Sequence, residues 1–261
     1  MKETFMNLCN LMTNLCGRHK EIDSNKIPSQ SLFYKDNFII KIKKAESDDI
    51  KEYESDFVKE DLGSIIEKVK SIVEKNIILP KGYIFEDLKS IDVVFIFLEI
   101  VKFTTGKKIK IDYVDEDENR LESIEFSDKT FNYFKIDSNA KKFYDPIEKS
   151  FHISGYTFTL PSIGVENSLT LFLITKSNNS EIKKYSSLGF EFTYFLSNKN
   201  FLTFQEIENL IEIFNYDMDV EEKVKIKKII KNFEPLQRYS LIKNGKIIDI
   251  NSKIDLENIW K

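Results

Sequence analysis

The chain is poor in the residues that most catalytic and metal chemistry requires. Its 261 residues include only two histidines, His19 and His152, and two cysteines, Cys9 and Cys16. Two cysteines are too few to staple a small secreted domain. Cys9, Cys16 and His19 lack the C-x2-4-C spacing of a zinc site, so no metal is expected there. Neither histidine stands in a Ser/His/Asp or HExxH context. The eight glycines make no GxGxxG and no phosphate-cradling loop, so a nucleotide cofactor is not expected. No apolar run is long enough to span a bilayer. Asn7, Asn10 and Asn14 interrupt the apolar positions near the N-terminus, which therefore does not read as a signal peptide. Charge of one sign is also missing: 39 Lys and Arg face 43 Asp and Glu, a net charge of −4. Such a balance gives no global pull toward nucleic acid or anionic lipid. These absences predict a soluble protein of the reducing cytoplasm without cofactor or catalytic centre.

What is present is apolar and aromatic. Hydrophobic residues make up 41% of the chain, with 22 Phe and 11 Tyr. That is enough to build a substantial core. The most apolar stretch, Ser90 to Gly106, predicts a central buried helix. Ser90 is placed to cap it, Asp92 sits in the first turn where the helix dipole favours a carboxylate, and Gly106 supplies the stop. Its charges, Asp92, Glu99 and Lys102, fall along one narrow stripe. A strand is the competing reading, but the run exceeds ordinary strand length.

Around this helix the pattern predicts an α+β fold. It comprises the central helix, amphipathic helices, and antiparallel strands and hairpins, followed by a helical C-terminal part that ends in a β-hairpin. Residues 1–26 read as an amphipathic N-terminal arm, 27–190 as an α+β core, and 191–261 as a two-helix-plus-hairpin subdomain. In the arm, Phe5, Leu8, Met12 and Leu15 form one apolar face that must be covered, in cis or by a partner, and are the candidate interface. Phe38–Lys43 reads as a strand; Ile50, Tyr53 and Phe57, then Leu62 to Val73, read as helices. Alternation predicts strands at Ile109–Tyr113, Leu121–Phe126 and Ser150–Leu160. Phe131–Ile136 is a further candidate strand, and Ser168–Thr175 an apolar run of undetermined type. Thr203 and Glu206 make a capping box, Leu202 is placed to staple against Ile207, and Asp219 with Glu222 repeats the signature. Asn244-Gly245 suits a two-residue hairpin turn.

Two stretches invite chemical readings. Asp115, Asp117 and Asn119 match three positions of a calcium loop. Arg120 and Phe126 then stand where glycine and a bidentate glutamate are needed, so an acidic hairpin turn is expected instead. Lys223, Lys225, Lys227, Lys228 and Lys231 give one helix a basic face. A nucleic-acid-binding protein using the Lys223–Lys231 helix is thus the alternative function. The acidic overall balance and the lack of Arg or interleaved aromatics disfavour nucleic acid as a partner. An enzyme would need scattered carboxylates gathered into a pocket, which no spacing here predicts.

The order of four stretches resembles a family of small baseplate-hub and hub-assembly proteins of contractile-tailed bacteriophages of the T-even type. These are IPSQSLFY (Ile27–Tyr34), with Ser31 where the family usually has Gly; the Asp-led apolar helix, Gly and strand of Ile91–Ile111; GYTFTLPS (Gly155–Ser162); and the capped helix pair, Pro235 and hairpin of Thr203–Trp260. The resemblance implies a non-enzymatic tail component, either a hub subunit or a chaperone for hub or tape-measure assembly. Its partners would be other tail or baseplate proteins (hub, tube or tape-measure) in an oligomeric assembly, with no membrane involved. Its place would be the virion tail baseplate, or the host cytoplasm during assembly. Some relatives carry CxxC pairs near the two hairpins; here those turns hold no cysteine, so the resemblance implies no zinc. Pro28, Leu32, Phe33, Tyr34, Asp92, Gly106 and Pro161 are expected to carry structure rather than contacts.

Overall fold

The computed structural model describes residues 19–35, 38–55, 62–115, 120–127, 129–177, 187–196, 201–233, 240–243, 246–249 and 259–260. Ten strands and seven α-helices are defined among them. Strands β1 (His19–Ile22), β2 (Ile40–Lys43) and β3 (Ile77–Ile78) form an antiparallel sheet in that order. Helices α1 (Ser47–Glu54) and α2 (Leu62–Asn76) lie between β2 and β3, and α3 (Ser90–Thr105) follows. Two hairpin systems come next: β4 (Lys110–Asp115) with β5 (Arg120–Glu125), then β6 (Tyr144–Asp145), β7 (Ser150–Ile153) and β8 (Tyr156–Phe158). The C-terminal half is helical, with α4 (Ile163–Ser177), α5 (Ser187–Phe195), α6 (Phe204–Glu212) and α7 (Val220–Phe233). The pair β9 (Ser240–Lys243) and β10 (Lys246–Asp249) follows. The class is α+β, and no helix among the described residues is long and apolar enough to cross a membrane.

Helix α3 is the centre of the first core. Every residue from Ser90 to Val101 is buried. Gly106 follows its last turn at φ 68°, and its N–H bonds Lys102 O at 3.0 Å. Glycine adopts this left-handed conformation without steric cost. The start differs from expectation. Ser90 does not cap the helix: it lies inside the first turn, and its N–H donates to Pro161 O at 3.1 Å. An end buried against another segment finds partners for its orphan amides there rather than in its own side chain. Around α3 pack Ile40 and Ile42 of β2, Val69 and Val73 of α2, Ile109, Ile111, and, from the far end of the chain, Leu241 and Trp260.

A second core is built mainly of phenylalanines. Phe233 at the end of α7 meets Phe33, Phe134, Phe151 and Phe195 at ring-centroid distances of 6.1, 5.6, 5.4 and 4.8 Å. A third, smaller cluster joins Val165, Leu169 and Phe172 of α4 to Leu202, Ile207 and Ile211. The capping box at α6 is formed: Thr203 Oγ1 accepts from Glu206 N–H at 3.3 Å, and Glu206 accepts from Thr203 N–H at 2.9 Å.

Beyond the Ser90 cap, the structure departs from the sequence reading in four places. Ser150–Leu160 is not one strand: Ser154 and Gly155, at φ 49° and 79°, turn the chain back so that β7 and β8 pair antiparallel, a two-residue turn of left-handed residues that the alternation on either side conceals. His19–Ile22 pairs with Ile40–Lys43, so these residues belong to the core sheet and not to an arm ending at residue 26. The helical C-terminal half begins at Ile163 rather than near 190, and the undetermined run Ser168–Thr175 lies inside α4. Segment 131–136 forms no strand: its pairing is an isolated bridge, Phe131 to Leu241, and Phe134 N–H bonds Pro28 O instead of a ladder partner. The loop between β4 and β5, the Asn244-Gly245 turn between β9 and β10, and residues 250–258, whose sequence suits a short closing helix over Ile254–Trp260, lie outside the described residues.

Candidate functional site

The sequence elements singled out above meet at one junction beneath α3. Pro28 is buried, and its carbonyl accepts Phe134 N–H at 2.9 Å. Asp92, fully buried, accepts Ser29 N–H at 2.8 Å and the Tyr34 hydroxyl at 2.7 Å. That hydroxyl in turn accepts Lys89 N–H at 2.8 Å, and the Tyr34 ring stacks on Phe38 at 4.0 Å. From the other side, Leu88 O accepts Ile163 N–H at 2.9 Å, and Lys89 bridges Ser162. Leu32 and Phe33 face the phenylalanine core. Thus Ile27–Tyr34, the start of α3 and the strand ending in Pro161 are tied together by backbone and carboxylate hydrogen bonds.

Burial sets the protonation behaviour here. Asp92 is pushed up to about 6, because loss of water outweighs the bonds from Ser29 and Tyr34 that favour its ionised form. Lys89, half-buried beside it, is pulled down to about 8 by desolvation, against the opposing attraction of Asp92 and Asp87. Burial and the nearby Asp92 push the Tyr34 phenol well up. The Asp92 carboxylate and the Tyr34 hydroxyl hold the junction closed.

The open features lie elsewhere. A groove of about 1160 Å³ runs between α7 and the segment preceding β6–β8. Lys225, Lys228 and Lys231 line it from the helix, Lys135 and Lys142 from the opposite wall, and His152 from β7. Asp137 is the one carboxylate in the lining. The His152 ring nitrogens lie 2.9 Å from Ser150 Oγ and 3.3 Å from Thr157 Oγ1, so it is an exposed strand residue braced by hydroxyls. A smaller pocket of about 620 Å³ on its other side includes Lys35, Lys81 and Lys89. The lysine row of α7 is legible in the sequence; Lys135 and Lys142 are not, since nothing in their local pattern relates them to a helix far later in the chain.

The second open feature is apolar. At the corner from α6 into α7, Tyr216 is 77% exposed, Val220 76% and Val224 47%. Val220 and Val224 stand one helical turn apart. Leu171 on α4 is 57% exposed. The expected interface of Phe5, Leu8, Met12 and Leu15 lies outside the described residues, as do Cys9 and Cys16. Among the described residues no group of His, Cys, Asp and Glu is placed to hold a metal ion. Comparisons of the chain with family models, with curated proteins and with solved structures return no match.

Proposed function

We propose that this chain is a structural or assembly protein of a contractile-tail baseplate, a hub subunit or a chaperone for hub or tape-measure assembly, and that it acts by protein–protein contact. The observation that carries the contact-based reading is the exposed apolar corner of Tyr216, Val220 and Val224. Aromatic and aliphatic side chains held at high exposure on a braced corner suit the centre of an interface better than a solvated surface. The brace is local: Lys223 donates to Asn215 O at 3.0 Å and lies 5.8 Å from the Phe214 ring centre. The identity of the assembly rests on the order of the four stretches that resemble the T-even hub proteins. Three of them meet at the Asp92 junction.

Mass spectrometry of purified tail particles tests the proposal. A stoichiometric chain identifies a subunit; a chain found only on assembly intermediates identifies a chaperone. The variant Val220→Asp/Val224→Asp should leave the far-ultraviolet circular dichroism unchanged and abolish incorporation or assembly. Normal particles formed in the complete absence of this protein would end the proposal.

A further inference from the structure

We infer that the groove between α7 and the wall carrying Lys135 and Lys142 binds the phosphodiester backbone of nucleic acid without reading base sequence. The inference is independent of the proposed assembly role.

Geometry, rather than composition, carries it. On α7, Ile226, Ile229, Ile230 and Phe233 are buried, which leaves Lys225, Lys228 and Lys231 in a row on the open side. Three residues of helix rise about 4.5 Å, so the row spans about 9 Å. On the other wall, Lys135 lies between buried Phe134 and half-buried Ile136 and points outward. Lys142 sits in a short turn whose start is fixed by Asp137, which accepts Asn139 N–H at 2.7 Å on its side chain and Ala140 and Lys141 N–H on its carbonyl. Both walls are anchored in the phenylalanine core, through Phe134 and Phe233 stacked at 5.6 Å. Among the described residues none of these five lysines is in an ion pair, whereas Lys20, Lys70, Lys75 and Lys243 all are. Five ammonium groups against one carboxylate, in a protein of net charge −4, is a local field that the whole-chain balance conceals.

The chemistry of the lining selects the ligand class. Protein interfaces are depleted in lysine and rich in Arg, Met and aromatic side chains. This groove has no Arg, Met, Tyr or Trp; its one phenyl ring, Phe143, is occupied by the Lys142 ammonium 4.9 Å from its centre, and its one imidazole, His152, is braced by the Ser150 and Thr157 hydroxyls. Lysine is a point charge suited to phosphate oxygens and poor at bidentate recognition of planar groups. With no free ring to stack on, bases are not gripped; the strand is held by its phosphates.

Fluorescence anisotropy of the full chain with a labelled mixed-sequence single strand and with the matching duplex tests this. Binding should appear at low salt and weaken with a slope of log K against log salt that reaches about −3.5 for a single strand and about −4.5 for a duplex if all five lysines neutralise phosphates. Because a duplex gives the steeper slope at equal contact number, the substrate that binds more tightly at one fixed low salt concentration identifies whether a single strand or a duplex fills the groove. Lys225→Glu/Lys228→Glu/Lys231→Glu, and separately Lys135→Gln/Lys142→Gln, should each weaken binding about tenfold or more and flatten the slope by about one per lysine removed. Lys227→Glu, on the same helix but outside the lining, should change it less than about twofold, with circular dichroism unaltered in all three. The inference is overturned by absence of binding at low salt, by a Lys227→Glu effect as large as that of the groove variants, or by polyglutamate displacing the nucleic acid at equal charge concentration. That last result would assign the groove to an acidic protein segment.

Discussion

Ser31 holds a backbone conformation that its side chain disfavours. Gln30 and Ser31 have φ of 52° and 58° in succession, as the chain turns back between Ile27 and Tyr34 to bring Tyr34 under α3. Left-handed geometry costs a residue with a Cβ about 1–2 kcal/mol. The Ser31 hydroxyl is also buried without a hydrogen-bond partner among the described residues. Ser31→Gly relieves both at the expense of a more flexible unfolded chain, so it should stabilise the fold by about 1 kcal/mol, read as a higher urea midpoint. An unchanged midpoint would show that the hydroxyl is satisfied and the turn relaxed. Asp92 makes the opposite kind of contribution. Its folded pKa, about 6, lies above its ordinary value of 3.8. The folded state therefore holds the proton more tightly, and the stability this gives is fully present below about pH 4 and is lost as pH rises through about 6. The span corresponds to roughly 3 kcal/mol at most. Asp92→Asn removes the titration. The stability difference between wild type and Asp92→Asn should thus change between about pH 4 and pH 7, in the sense that wild type loses ground as pH rises. A difference that stays constant across that range would mean that Asp92 does not titrate there.

Among the elements, legibility follows how sharply each one divides its faces. Helix α3 is readable because its stop signal and its narrow polar stripe agree, and each charge on the stripe proves to be partnered: Asp92 with Ser29 and Tyr34, Glu99 with Lys20 and Lys102. The β4–β5 hairpin is readable from strict alternation, as in Ile111 and Tyr113 turned inward against exposed Lys110. Helix α4 is not, because it is apolar on both faces. Val165, Leu169 and Phe172 are buried while Leu171 and Ile174 stand 57% and 61% exposed. No helical period survives in such a pattern. Its true start is Ser162, whose hydroxyl accepts Val165 N–H at 3.3 Å. That cap is hidden in the sequence behind the preceding strand. Helix α7 shows its lysine face in the sequence, but the aromatic part of its attachment, beside buried Ile226, Ile229 and Ile230, is one ring. Phe233 touches aromatic rings from the entry loop, segment 131–136, β7 and α5. Phe233→Ala should cost about 3–5 kcal/mol in denaturant unfolding, toward the upper end because four rings surround the vacancy and cannot all collapse into it. A loss below about 1 kcal/mol would mean that α7 is held from elsewhere.

At the scale of the whole molecule, the chain's order and its spatial grouping differ. The expected boundary near residue 190 places the C-terminal hairpin with the helices before it, yet Leu241 and Trp260 pack into the core around α3. Phe33 and Ile91, from the first part of the chain, belong instead to the phenylalanine core beside α7. Neither exchange can be read from periodicity, which reports the face a residue turns inward but not the cluster it joins. The same limit hides the basic groove, whose two walls come from opposite sides of that exchange. The return of the C-terminus has a practical optical result. The molecule's only indole, Trp260, lies 5.9 Å from the Phe97 ring and 6.1 Å from Tyr53, deep against the central helix. Excited at wavelengths that tyrosine does not absorb, its emission therefore watches one half of the interior and is blind to the phenylalanine half, so indole fluorescence reports Trp260 settling onto the central helix and not the closing of the core around Phe233.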